Sequence, residues 1–334
     1  MSTPQSPDFT RLPKVELHLH LDCSLSFEAV KALVPEMTPQ RYRAEFLAPE
    51  KCVNLVDYFR YLAAPLALLQ TAEGLRIATI DLLRQLAEDD VIYAEIRFAP
   101  HLHTQQGLRT PEVLEIVLAA LAEGRRRYAV EARLILCTLR PDDTAQGLEL
   151  LALAERHAAD GVGGIDLAGD EAGYGLGQHI PVFRKAAERG VPMTAHAGEA
   201  VGAESVREVV TQLGVRRVGH GVRSIEDESV IDMLREKQVH LEVCPSCNIQ
   251  IDVFPRYADH PIEKLRALGI ALSVNTDARG PTDLTLRKEY ARLTDVFGWD
   301  AQTFRAANLA ALDVAFIDDA TRTRLKQQLV AAGA

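Results

Sequence analysis

Long hydrophobic runs are missing from this 334-residue chain: nowhere do about 18 apolar residues follow one another, so a membrane-spanning helix is not expected. Met1 to Thr10 has no basic start leading into an apolar stretch, which speaks against a secretory leader and makes the cytoplasm the default compartment; residues 1–10 are expected to be disordered. Cysteine is scarce. The five thiols, Cys23, Cys52, Cys137, Cys244 and Cys247, are odd in number and scattered, which argues against a disulfide framework. Positive charge is short as well, 37 Lys and Arg against 47 Asp and Glu, a formal net charge of −10. Such a field repels phosphate backbones and anionic lipid, so neither nucleic acid nor a membrane is an expected partner. The basic triplet Arg125-Arg126-Arg127 reads as a solvated helix end. Internal repeats, low-complexity tracts and Pro/Ser-rich linkers are absent too, and one compact domain over 1–334 is the expectation.

What is present is ordinary globular composition, 47% apolar and 25% charged, in a chain long enough to bury a large core. Short β-rich runs alternate with longer stretches of helical spacing, the pattern of βα units. The expected strands are Lys14–Leu21, Val91–Pro100, Glu131–Leu139, Gly164–Gly169, Val191–Ala197, Arg217–Gly221, His240–Pro245 and Ala271–Asp277. Eight strands are the number that closes a TIM (β/α)8 barrel, an α/β fold. Amphipathic stretches lie between them, among them Pro111–Leu121, with Thr110-Pro111 read as cap and first turn, and several end on glycine: Gly190, Gly214, Gly269. Ser24 to Asp90 holds further helical patterns around Leu55–Leu69 and Leu75–Ala87, a helical insertion after the first strand that would sit over the catalytic face as a lid or as packing. Ala301–Ala332 reads as extra C-terminal helices covering the barrel.

Chemistry collects at the ends of the expected strands. His18-Leu19-His20 ends the first strand, and residues two apart on a strand share a face and can grip one ion. The spacing alone decides little, because His101-Leu102-His103 repeats it after the second strand. Position adds to it: His196, His220 and Asp277 end the fifth, sixth and eighth strands, and in a barrel those ends converge on one mouth. Three imidazoles and a carboxylate suit a borderline ion such as zinc with room left for water; the alternative is that each group satisfies its own local hydrogen bonds. Glu199, three residues past His196, is placed to act as acid or base at the metal, and His220, between Gly219 and Gly221, reads as a base or electrostatic partner. Cys244-Pro-Ser-Cys247 has no second cysteine pair and reads as ordinary buried thiols at a strand end.

Six ordered runs between residues 13 and 277 resemble the adenosine deaminase family: Pro13-Lys-Val-Glu-Leu-His-Leu-His-Leu-Asp22, Ile165-Asp-Leu-Ala-Gly-Asp-Glu171, Thr194-Ala-His-Ala-Gly-Glu199, Arg217-Val-Gly-His-Gly221, Leu241-Glu-Val-Cys-Pro245 and Ser273-Val-Asn-Thr-Asp277. The resemblance implies one zinc per chain on His18, His20, His196 and Asp277, and a purine nucleoside whose C6 takes up water and loses ammonia. It gives Glu199 the proton for ring N1, lets His220 orient and help deprotonate the water, and has Asp277 accept a hydrogen bond from that water. Asp22 would hydrogen-bond the ribose, His20 would also contact the substrate, and the Gly169 N–H would meet N3, a glycine because a side chain would block the base. Adenosine and 2′-deoxyadenosine, in purine salvage, lead the expected substrates, with adenine and 6-aminodeoxyfutalosine as alternatives. Rival readings are two-metal hydrolysis of an ester or amide, disfavoured because the middle strands end at Pro100, Leu139 and Gly169 without a bridging Lys, and a non-catalytic binding protein on the same scaffold. Nothing in the sequence sets an oligomeric state.

The sequence departs from the family pattern at three places. Where the family usually has a second Asp for N7, Asp277 is followed by Ala278 and Arg279, which removes one contact to the base and is expected to put a cation beside the site. Cys23 follows Asp22 where glycine is usual; it would either narrow the pocket floor or be an inert buried thiol.

Overall fold

A computed structural model describes residues 12–331, so the expectation of disorder for residues 1–10 lies outside the described residues. Eight strands follow one another as β1 Lys14–His20, β2 Val91–Phe98, β3 Glu131–Leu139, β4 Val162–Ala168, β5 Ala195–Ala197, β6 Arg217–His220, β7 His240–Val243 and β8 Ala271–Val274. They pair in parallel as two four-stranded sheets, β1-β2-β3-β4 and β5-β6-β7-β8. Single parallel bridges link the sheets, Ile165 to Met193 on one side and Leu19 to Asp277 on the other, so the strands succeed one another in chain order around a TIM-barrel-like α/β fold. Strands covered by helices are buried on both faces and read as near-continuous apolar runs, as Leu134, Ile135, Leu136 and Cys137 do in β3.

The insertion between β1 and β2 is cut into short helices by four side-chain caps. Ser26, Thr38, Asn54 and Thr71 each accept a hydrogen bond from the backbone N–H three residues on, opening Phe27–Leu33, Pro39–Phe46, Leu55–Tyr58 and Ala72–Glu88. The expected single stretch Leu55–Leu69 is broken by a 3-10 turn at Phe59–Leu62 before the helix Ala63–Leu68, where Pro65 has no N–H to continue the ladder. Leu55, Tyr58, Phe59, Leu62 and Leu66 of this insertion wall the cavity at the barrel mouth.

The helix Thr110–Tyr128 has Arg109, not Thr110, as its N-cap, with the Glu112 side chain accepting from the Arg109 N–H at 2.8 Å. Gly190, Gly214 and Gly269 carry the positive φ expected of residues that end helices. Three helices follow β8: Leu286–Phe297, absent from the sequence expectation, then Ala301–Val314 and Asp319–Ala331. The last two pack on Val15, Leu17 and Tyr93, and Asn308 accepts from the Val15 N–H at 2.9 Å, which ties them to the start of β1. Among the described residues no helix is long and apolar enough to cross a membrane. All five cysteines are free and buried.

Candidate active site

Three imidazoles and a carboxylate meet at the mouth. His18 and His20 come from the end of β1, His196 from β5, and Asp277 from the turn after β8; one ligand atom of each lies within 4.8 Å of the others. Backbone pairing places Asp277 there: its N–H donates to the His18 carbonyl at 2.9 Å, and the His20 N–H donates to its carbonyl at 2.8 Å. Asp277 Oδ1 is 3.2 Å from His18 Nε2 and 3.3 Å from His20 Nε2, and His20 Nε2 and His196 Nε2 stand 3.3 Å apart. His18 Nε2 is buried with no hydrogen-bond partner. Nitrogen atoms aimed at one point with no proton donor between them fit a bound cation.

The far sides of two of these rings rest on buried carboxylates. His18 Nδ1 is 2.9 Å from Glu242 Oε2 and His196 Nδ1 is 3.1 Å from Asp166 Oδ2, which puts the ring protons on Nδ1 and leaves the Nε2 lone pairs facing the cluster. Arg97 joins the two carboxylates, donating to Asp166 Oδ2 at 2.9 Å and to Glu242 Oε2 at 2.6 Å, and Arg217 adds a bond to Glu242 Oε1 at 2.7 Å. Burial alone would raise both acids, but Arg217, Arg97 and His18 hold Glu242, and His196 and Arg97 hold Asp166, well below the usual carboxylate range.

Glu199 and His220 flank the cluster, with His220 Nε2 3.4 Å from Glu199 Oε1. The loop carrying Glu199 is pinned by Glu171, whose carboxylate accepts from the N–H groups of Gly198, Glu199, Ala200 and Val201 at 2.6–3.1 Å. Burial, with Asp277 and Glu171 nearby, pushes the Glu199 carboxyl well above its ordinary value, whereas burial and the neighbouring His18 keep His220 neutral. Asn248, on the helix Pro245–Gln250, spans the pair: its amide donates to Glu199 Oε1 at 3.3 Å and to His220 Nδ1 at 3.1 Å. The amide is oriented from behind, because the Ile262 N–H donates to His260 Nδ1 and His260 Nε2–H then donates to Asn248 Oδ1 at 3.2 Å. With Nδ1 accepting from Asn248, the proton of neutral His220 sits on Nε2. Gly219 has its own steric cause: a Cβ there would lie 2.8 Å from His18 Cε1.

The cavity at the cluster holds about 360 Å³ and is lined by His20, Asp22, Gly169, His196, Glu199, His220 and Asp277 among others; of the residues given a catalytic, substrate or metal role from the sequence, His18 is absent from the lining and is fully buried. Gly169 has φ +97°, and a Cβ there would meet nothing closer than 3.4 Å; its backbone conformation, rather than crowding by the protein, calls for glycine. Burial pushes Asp22 up to about 6, and Cys23 is among the residues that line the cavity. The second His-x-His pair stays out of the cluster: His101 Nε2 lies 3.4 Å from Asp142, and buried His103 sits 3.9 Å from Asp22.

A family model described as adenosine deaminase matches residues 13–332. An adenosine deaminase of Enterococcus faecalis is 34% identical over 325 residues, 96% of each chain. The chain belongs to the adenosine deaminase family. It is accordingly a hydrolytic aminohydrolase. Among solved structures, an adenine deaminase from Arthrobacter aurescens superposes with a TM-score of 0.86 at 27% identity, covering 96% of this chain and 98% of its own. An amidohydrolase from Burkholderia ambifaria, solved with bound Zn, gives 0.86 at 24% identity over 97% and 91% of the two chains.

Two departures from the family pattern resolve differently. Ala278 borders the cavity and packs with Cys23, Tyr58, Cys247 and Ile251, so that wall is apolar. Arg279 does not stand beside the site: its guanidinium turns away to Glu16 Oε2 at 2.6 Å and Asp89 Oδ2 at 3.0 Å, both buried. Asp277 has a positive φ of +62°; Ala278 after it still lines the cavity, and Arg279 is the residue that turns away. Arg97, Asp166, Glu242, Glu171, Asn248 and Cys247 were not singled out from the sequence as functional, although Asp166, Glu171 and Glu242 lie inside the family motifs. Glu242 carries the clearest signal, a charge in the apolar run Leu241–Val243.

Proposed function

We propose that this aminohydrolase binds one zinc ion through His18, His20, His196 and Asp277 and converts adenosine and 2′-deoxyadenosine to inosine and 2′-deoxyinosine, releasing ammonia in purine salvage. The observation that carries the reading is the pairing of that ligand set, at the same cavity, with Glu199, a carboxyl group that burial pushes well above its ordinary value. When bound, zinc supplies a Lewis acid that lowers the pKa of water towards about 7. Glu199 delivers its proton to ring N1, which draws electron density away from C6 as water adds there. His220 Nε2–H orients the attacking water by donating to it; with Nδ1 occupied by Asn248, the ring acts first as a donor rather than as the base. Asp277, held ionised by the histidines against the upward push of burial, accepts the hydrogen bond from that water; of the water's two protons one goes to the C6 amino group, which leaves as ammonia, and the other restores Glu199. Asp22 and His20 border the ribose, and the Gly169 N–H meets N3.

Ala278 supports a second reading, in which another adenine compound such as adenine or 6-aminodeoxyfutalosine is preferred, because its methyl side chain on the cavity wall has neither donor nor acceptor to offer a base. Ammonia release from adenosine, 2′-deoxyadenosine, adenine and 6-aminodeoxyfutalosine, by protein of measured zinc content, separates the two. Fastest turnover of adenosine supports the first reading. Silence on both nucleosides by zinc-loaded protein overturns it.

A further inference from the structure

The carboxylate of Asp277 serves two groups. Oδ1 faces His18 and His20, while Oδ2 accepts from Cys247 Sγ at 2.9 Å. Beside the histidine set a second set of donors closes, in which Cys247 Sγ, a Glu199 oxygen and an Asp277 oxygen lie within 4.8 Å of one another. The three side chains are 1%, 6% and 8% exposed. No Lys or Arg is among the described residues that line their cavity, so two carboxyl groups and a thiol meet there without a fixed positive charge.

We propose that Cys247, Glu199 and Asp277 form a second cation site, for thiophilic divalent ions such as cadmium or excess zinc, whose occupation inhibits the enzyme. The thiol selects against magnesium and calcium, which take oxygen donors. Binding displaces the thiol proton now shared with Asp277 Oδ2, and any proton carried by the Glu199 carboxyl, to solvent. Asp277 would then serve both sets, with Oδ1 on the side of His18 and His20 and Oδ2 on the side of Cys247. The inhibition rests on the reading of Glu199 as the acid: a carboxylate engaged by a cation has no proton to give. A second ion here therefore blocks the site instead of activating water, which distinguishes it from a two-metal hydrolase.

Titrating zinc-loaded protein with Cd2+ tests this, following sulfur-to-cadmium charge-transfer absorption, metal content per chain and turnover together. The expected result is one Cd2+ beyond the first metal, a charge-transfer band and loss of turnover. The histidine set contains no sulfur, so exchange there gives no band. In Cys247→Ser the band disappears and half-inhibition needs at least about tenfold more cadmium, the least that losing a ligand costs; retained zinc shows that the variant is folded. Cys23→Ser, in the same cavity but outside the set, keeps the band, as does Glu199→Gln with weakened binding. No band in the wild-type protein, or an undiminished band in Cys247→Ser, overturns the proposal. The band is read without turnover, so a protein silent on adenosine still reports on this site, and adenosine turnover that resists cadmium without a band removes the site while leaving the deaminase reading intact.

Discussion

Arg97 donates to Asp166 at 2.9 Å inside the barrel, with both side chains sealed from solvent. Because the same guanidinium also holds Glu242, one cation positions the two carboxylates that orient His18 and His196. Replacing it leaves two buried acids facing each other, which destabilises by about 3–5 kcal/mol and loosens both ligands. Arg97→Met is expected to lose metal about 10- to 100-fold more readily to a chelator than the wild-type protein. Equal zinc retention in the two would show that the rings hold their orientation without the guanidinium.

Asn248 touches both Glu199 and His220 yet borders no ligand nitrogen of the cluster. Asn248→Ala removes three buried hydrogen bonds, to Glu199, His220 and His260, each worth about 1–3 kcal/mol when left unmade, so kcat should fall about 10- to 100-fold with metal content unchanged. Steady-state kinetics beside metal analysis checks this; a change confined to KM would assign Asn248 to binding instead.

Gly219 makes the room that the His18 ring occupies. A methyl group 2.8 Å from Cε1 forces that ring or β6 to move, an overpacking cost of about 1–3 kcal/mol. Gly219→Ala should therefore fold but bind metal weakly, as measured by zinc content after dialysis. Full occupancy would mean that the barrel yields at no cost to the ligand.

The strand ends were legible in the sequence because parallel strands under helices are short, apolar and separated by helical periods. His18, His20, His196, His220 and Asp277 could be placed at one mouth from that alone, before any family was considered. The strand limits were less legible: in the run Val191–Ala197 the strand begins only at Ala195, with a single bridge from Met193 to Ile165 before it, and the Val191 N–H closes the preceding helix on the Ala186 carbonyl. Glu171 and Asn248 escaped notice because they act across chain separations of 27 to 49 residues on loops and a short helix, where no periodicity reports direction. Arg279 was misplaced for the same reason, adjacency in sequence being no guide to where a side chain points after a left-handed residue.

His240 gives the fold a pH dependence of known sign. Burial, and Arg217 beside it, lower its pKa from 6.5 to about 3, so the native state keeps it neutral. Its contribution is present above pH 6.5 and is lost as the pH falls towards about 3, because the unfolded chain takes up the proton first. By about pH 5 the loss is about 2 kcal/mol. Urea unfolding at about pH 7 and about pH 5 should show a smaller difference in His240→Asn than in the wild-type protein; equal differences would contradict the assignment.

Glu199 is where the account is most exposed, since the site needs one carboxyl that is an acid beside a carboxylate that is a ligand. Ammonia release from adenosine by wild-type protein and by Glu199→Gln, each with its zinc content measured, is the direct test. The account predicts equal zinc in both and turnover lower in the variant by about 10²- to 10⁴-fold, the usual worth of a positioned proton donor. Near-wild-type turnover by zinc-loaded Glu199→Gln would contradict it.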